Sequence, residues 1–208
     1  RNKEPENNFL HRVRKLANDN NIVLVFDECT SGFRKNYGGL HKLYDVEPDV
    51  AMFGKALGNG YAVTAVLGKR DVMQAAEKSF ISSTFWTERI GSSAGLATLK
   101  VMDNEKSWEK ITKTGEYVNS EWIKLSKEFD LPITISGLAA LTTFSFKSEK
   151  ALAYKTFITQ EMLKKKMLCS NALFLSVKHD DKTLQNYLNN LNDIFYKISK
   201  FEKNILNI

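Results

Sequence analysis

Two rhythms of apolar residues run along the first half of this chain. Phe9, Val13, Leu16 and Ala17 recur at helical spacing, so residues 8–20 read as an amphipathic helix. Residues 22–26 form an apolar, β-branched run, the pattern of a strand buried on both faces. Residues 50–53 and 64–67 repeat that pattern. Residues 69–79 read as a helix turning Val72, Ala75 and Ala76 inward, and residues 92–102 as another with Leu96, Leu99 and Met102 on its apolar side. Short buried strands interleaved with helices predict an α/β layer architecture.

Past Asn104 the character changes. Residues 106–129 read as one long helix with Ile111, Val118, Trp122, Leu125 and Phe129 along a stripe. Strand patterns follow at 133–136 and 141–147, a helix at 149–166 and a strand at 173–177. Residues 183–201 close the chain as an amphipathic helix through Leu184, Leu188, Leu191, Phe195 and Ile198. Long helices over a small sheet form a second α/β domain, so the expected division is 1–104 and 105–208.

Composition narrows the class. An apolar fraction of 43% with 11% aromatic supports a packed core across 208 residues. No apolar run approaches the roughly 18 residues of a membrane helix, so no membrane association is expected. The net charge of +6 comes from dispersed lysines. Its densest patch, Lys164-Lys165-Lys166, ends a helical pattern and complements the helix dipole, so no nucleic-acid partner is expected. Cys29 and Cys169 are unclustered, which points to a reducing, cytoplasmic setting without a disulfide framework. His11, His41 and His179 have no metal-ligand spacing, and no metal is expected. The first residues lack both an apolar signal segment and a methionine, so the chain is expected to be a piece of a longer protein.

The chemistry concentrates in two segments. Asp49-Val-Ala-Met-Phe-Gly-Lys55-Ala-Leu-Gly-Asn-Gly60 delivers a lysine from an apolar strand into a glycine-rich turn, and Phe26-Asp27-Glu28 ends another apolar strand on carboxylates. In open α/β sheets ligands gather at the carboxyl ends of strands. A lysine amine and a carboxylate placed there suit pyridoxal phosphate, the amine forming the Schiff base and the acid meeting the pyridinium nitrogen. Removal of Lys55 from water between small residues would lower its pKa and prepare it as a nucleophile. Taken singly, Asp27 or Glu28 could instead cap a turn, and Lys55 could be a surface lysine. A phosphate-binding P-loop is excluded, because Asp49 stands where a glycine is required and Ala56 where a hydroxyl is. Ser82-Ser83-Thr84, before the helix expected near Ser92, offers hydroxyls and helix amides to a phosphate or is hydroxyl-rich turn chemistry. Arg89 could receive a substrate carboxylate or form a surface ion pair.

With these segments in view, the chain resembles the class III, fold type I, pyridoxal phosphate-dependent aminotransferases. It is most similar to their glutamate-1-semialdehyde 2,1-aminomutase-like branch. The resemblance rests on residues 25–34, Pro48-Asp49, residues 53–60 and Thr84; it covers residues 1 to about 105 strongly and the remainder by order of elements. It implies the later part of a large cofactor-binding domain followed by a small C-terminal domain. It implies that Asp27 pairs with the pyridinium nitrogen, and that Lys55 carries the Schiff base and shuttles a proton. Thr84 would bind the cofactor phosphate from the neighbouring subunit of a homodimer. The implied reaction moves an amino group between a small-molecule amino donor and a carbonyl acceptor; an aminomutase shift and a non-catalytic dimeric scaffold are the alternatives. Two departures stand out: Cys29 replaces a common valine, and residues 84–91 lack the usual glycine-asparagine-proline run. The family's main phosphate-binding turn lies in an N-terminal portion outside this sequence, so the chain alone is not expected to be active.

Overall fold

The computed structural model describes residues 4–203 and separates them into two units that meet in sequence between Glu109 and Lys110. In the first unit, α1 (Phe9–Asp19) leads to β1 (Val25–Asp27), a 3-10 turn at Leu40–Tyr44, β2 (Val50–Phe53) and β3 (Ala65–Gly68). Then come α2 (Arg70–Met73), a 3-10 turn at Gln74–Lys78, and α3 (Arg89–Glu105). The sheet order is β1-β2-β3. β1 runs parallel to β2 with Asp27 opposite Met52, and β3 runs antiparallel with Ala65 opposite Phe53. Ala51, Phe53, Phe33 and Leu57 form a buried cluster against which Leu99 and Met102 of α3 pack.

Only the central strand is buried as the apolar runs predict. Val25 remains 48% exposed, Val66 50% and Leu67 60%, because β1 and β3 are edges of this three-stranded sheet. β1 also starts later than the apolar run. The Leu24 amide donates to the Asp49 carboxylate at 2.8 Å instead of to a neighbouring strand, so pairing begins at Val25. The single helix expected over 69–79 is instead four residues of α-helix followed by a 3-10 turn.

The second unit is built from α4 (Ser107–Glu128), β4 (Ile133–Ser136), β5 (Leu141–Phe146), α5 (Ala151–Lys164), β6 (Ala172–Phe174) and α6 (Asp181–Glu202). Its sheet is antiparallel in the order β4-β5-β6. Phe144 and Phe146 on β5 lie in one buried cluster with Trp122, Tyr154, Ile158, Leu191, Phe195 and Ile198 from α4, α5 and α6. Burial of each such side chain is worth about 1.5–3 kcal/mol. The one polar atom Trp122 carries into this core is satisfied: its Nε1–H donates to the Tyr187 hydroxyl at 3.0 Å. Asp180 sets the start of α6 two residues ahead of the apolar pattern by accepting from the Thr183 amide at 2.8 Å.

Candidate active site

Parallel pairing of β1 and β2 decides where the chemistry sits. Asp27 is the last residue of β1, and the ladder continues one step further as the Glu28 amide donates to the Met52 carbonyl at 2.9 Å. Lys55 follows the end of β2 by two residues. Both side chains therefore leave from the carboxyl ends of adjacent parallel strands. The Asp27 Oδ1 accepts from the Cys29 amide at 3.0 Å, and the Lys55 Nζ donates to the Thr30 hydroxyl at 2.5 Å. The Cys29 thiol feels both groups: burial pushes its pKa up, Asp27 adds to the rise through a hydrogen bond and its charge, and Lys55 opposes it. Acid and amine thus flank one turn, as the two sequence segments suggest.

The neighbouring carboxylates have other work. Glu28 is buried at 4% exposure and accepts from the His41 amide at 2.9 Å, from the His41 ring at 3.0 Å and from the Ser31 hydroxyl. Burial alone would raise its pKa, but donors at Ser31, His41 and Leu40 together hold it below the usual carboxylate value. Glu28 therefore fastens the turn after β1. Asp49 is held far below the ordinary carboxylate range by Lys69 at 2.7 Å, the Leu24 amide and Arg14 at 2.8 Å. It ties α1, the approach to β1 and the end of β3 to the head of β2, and its strongly shifted acidity reflects a structural clamp.

Two glycines near Lys55 make room for the chain's own atoms. A side chain at Gly58 would place its Cβ 2.3 Å from the Tyr61 carbonyl oxygen, and one at Gly32 would meet the Glu28 oxygen and the Phe53 ring at 2.8 Å. Gly58 permits backbone to approach backbone, whereas a Cβ at Gly60 would meet nothing within 4 Å. Lys55 adopts a left-handed conformation at φ 44° in the turn closed by the Leu57 amide on the Gly54 carbonyl at 3.0 Å. Its side chain is exposed in this chain, not drawn out of water as the glycine-rich setting implies.

The helix that follows Thr84 starts earlier than expected and takes in Arg89. α3 begins at Arg89, not near Ser92, because Glu88 caps it: the carboxylate accepts from the Ile90 amide at 2.6 Å and the Gly91 amide at 3.1 Å. Those first amides already hold an anion, so the helix N-terminus does not offer them to a phosphate as the hydroxyl-then-helix pattern implies. Ser83 makes a local turn contact, accepting from the Phe85 amide at 3.2 Å, and Thr84 is exposed. The structure brings Asp27 and Lys55 to one turn; it places Thr84 on an exposed loop of the same unit. Thr30 has no role in the sequence argument although it lies within the quoted motif. A hydroxyl three residues past a strand end carries no pattern that marks it as a partner for a lysine.

A cavity of about 470 Å³ opens in the second unit beside Phe129, Glu161, Asn190, Tyr196 and Lys197. Within its lining Glu161 is paired with Lys197 at 2.6 Å, and Glu161 also holds Lys164 at 2.5 Å. Asp27 and Lys55 lie outside this cavity, at the strand-end turn of the first unit. Among the described residues no three His, Cys, Asp or Glu side chains are gathered as metal ligands.

Residues 3–174 match the sequence model of the aminotransferase class-III family. This chain belongs to the class-III aminotransferases. It is 36% identical over 157 residues to the 3-aminobutyryl-CoA aminotransferase of Cloacimonas acidaminovorans, covering 75% of this chain and 38% of that protein. It is 31% identical to the glutamate-1-semialdehyde 2,1-aminomutase of Clostridium botulinum over 94% of this chain and 49% of that one. The solved structure of the FumI protein of Sphingopyxis sp. MTA144, in its PLP internal aldimine form, superposes with a TM-score of 0.89 at 21% identity. That superposition covers 97% of this chain and 50% of the other, and it establishes the α/β fold of fold type I. The class-III chain spans about half the length, or less, of these relatives.

The donor set fits the cofactor of that fold. A lone primary amine open to approach and a carboxylate on the neighbouring parallel strand are the two groups pyridoxal phosphate requires at its aldehyde and its ring nitrogen.

Proposed function

We propose that this class-III chain carries the lysine half of an active site that transfers an amino group between a small-molecule amino donor and a carbonyl compound, using pyridoxal phosphate. One observation carries the proposal: Asp27 and Lys55 emerge side by side from the carboxyl ends of parallel β1 and β2. Bound there, the cofactor supplies an electron sink for the pair left behind when a proton leaves the amine-bearing carbon. Asp27 holds a proton on the ring nitrogen by placing its negative charge against it. Lys55 attaches the cofactor through its Nζ and, as a free amine, carries a proton between two carbons at that atom. Positioned proton transfer of this kind is worth about 10²–10⁴-fold in rate.

Thr84 is proposed as a phosphate ligand for the site of a second subunit, in a homodimer. The surroundings of Thr84 favour this. Phe80 is 94% exposed, Trp86 66% and Ile90 62%, apolar side chains of one sequence stretch that another surface could cover. The two units are proposed to be the later part of the large cofactor-binding domain and the small C-terminal domain. A cytoplasmic setting is supported by two free thiols, Cys29 and Cys169. No described helix is long and apolar enough to cross a membrane.

A second reading, an intramolecular amino shift, is favoured by the similarity to aminomutases across nearly the whole chain. An isotope experiment separates the two. With a ¹⁵N-labelled amino donor and an unlabelled acceptor, transfer predicts the label in the new amine. Turnover of a single amino aldehyde without any donor contradicts transfer and supports the shift.

A further inference from the structure

We propose that Thr30 is a positioning residue for Lys55, its hydroxyl accepting a hydrogen bond from the free Nζ and fixing the amine at the carboxyl ends of β1 and β2. The inference rests on the function proposed above and names a residue to which that reading gives no role. Three observations carry it. The Nζ–Oγ1 contact is 2.5 Å and joins turns that are 25 residues apart in sequence. The acceptor is held firmly, because Thr30 lies between two residues that are themselves bonded into the turn. Cys29 donates its amide to Asp27 at 3.0 Å, and Ser31 donates its hydroxyl to the buried Glu28. The turn is closed by the Gly32 amide on the Glu28 carbonyl at 2.8 Å. Threonine is also β-branched and stiff about χ1, so its hydroxyl is a better fixed point than a longer side chain would provide.

A lysine on a flexible four-carbon stem samples many positions, and only a few bring the amine within reach of a reacting carbon. Fixing it through one directional bond restricts the search at its free end. Misplacement of a catalytic group by about 1 Å can cost as much as 10²-fold in rate. Thr30 therefore acts through Lys55, on proton transfer, and not on capture of the cofactor.

The test compares wild type, Thr30→Val and Thr30→Ser in the intact protein. Thr30 is exposed, and valine keeps its shape, so folding is preserved. In cofactor-free protein, limited reductive methylation with formaldehyde and cyanoborohydride is followed at Lys55 by peptide mass spectrometry, with exposed Lys100 and Lys113 as references. Thr30→Val is expected to speed methylation of Lys55 relative to the references by about threefold, the lower range for loss of one hydrogen bond. Thr30→Ser is expected to match wild type. In loaded protein, Thr30→Val should leave pyridoxal phosphate affinity within about twofold while kcat falls about tenfold. The isotope effect with a donor deuterated at its amine-bearing carbon should rise, and serine should restore both values. Equal methylation of Lys55 in wild type and Thr30→Val overturns the proposal. So does a loss of cofactor affinity with unchanged methylation, which makes the hydroxyl a cofactor contact instead. Should wild-type Lys55 never couple to pyridoxal phosphate, the proposed function fails, while the methylation comparison still decides whether Thr30 holds the amine.

Discussion

The proposed roles fall to Lys55 and Asp27, and the carboxylates beside them are held by other partners. Glu28 is occupied by Ser31 and His41, and Asp49 by Arg14, Lys69 and Leu24. Lys55→Ala is therefore expected to reduce turnover in the intact protein by about 10²–10⁴-fold with the fold unchanged, measured by steady-state kinetics beside circular dichroism. Asp49 makes a contrasting prediction about stability. Its folded pKa lies below the ordinary 3.8, so its contribution is complete above that value and is lost as pH falls through the folded one. Urea midpoints for wild type should accordingly drop as pH falls from about 5 into the acid range. Asp49→Asn should be less stable at neutral pH and should show a flatter acid limb; an equally steep limb would remove Asp49 from the explanation. Of these residues, the placement of Asp27 and Lys55 at the carboxyl ends of neighbouring strands was legible, because each follows a short apolar run. The burial of Glu28 was not, since its partner His41 reaches it from a short 3-10 turn that leaves no periodic trace.

Elements were readable where one face is buried and the ends are marked by local chemistry. The residues 133–136 run is the strand observed, and residues 106–129 differ from α4 by one residue at each end. Boundaries failed where a side chain overrode the apolar pattern. Glu88, a poor N-cap by composition, starts α3 early, and the Asp49 carboxylate takes the Leu24 amide from β1. β6 is shorter than the apolar run at 173–177, although pairing beside β5 continues one step past Phe174 as the Leu175 amide donates to the Ala140 carbonyl at 2.9 Å. Gly115, within α4, tests a packing rule that helix propensity alone would get wrong. Alanine normally stabilises a helix interior by about 0.5–1 kcal/mol over glycine. Here the added Cβ would sit 1.9 Å from the Ala139 carbonyl oxygen, and the atom that must yield is backbone. Gly115→Ala is expected to destabilise the intact protein by about 1–3 kcal/mol in chemical denaturation; a gain would mean that α4 and the 137–140 turn can separate freely.

Across the whole molecule the apolar surface is distributed unevenly. Val66 and Leu67 on β3, and Phe80, Trp86 and Ile90 around Thr84, are more than half exposed or close to it. If this surface is covered in a homodimer, the Trp86 emission, taken as the difference between wild type and Trp86→Phe in the intact protein, should be blue-shifted. Dilution below the dissociation constant should move it to the red. Emission independent of concentration and typical of a solvated indole would rule out cover at Thr84. The central claim, however, concerns the pairing of a lysine with a cofactor. Its most direct test is borohydride reduction of the intact protein incubated with pyridoxal phosphate, followed by peptide mass spectrometry. The account predicts a pyridoxyl group on Lys55; a folded, complete protein in which Lys55 stays unlabelled would contradict it.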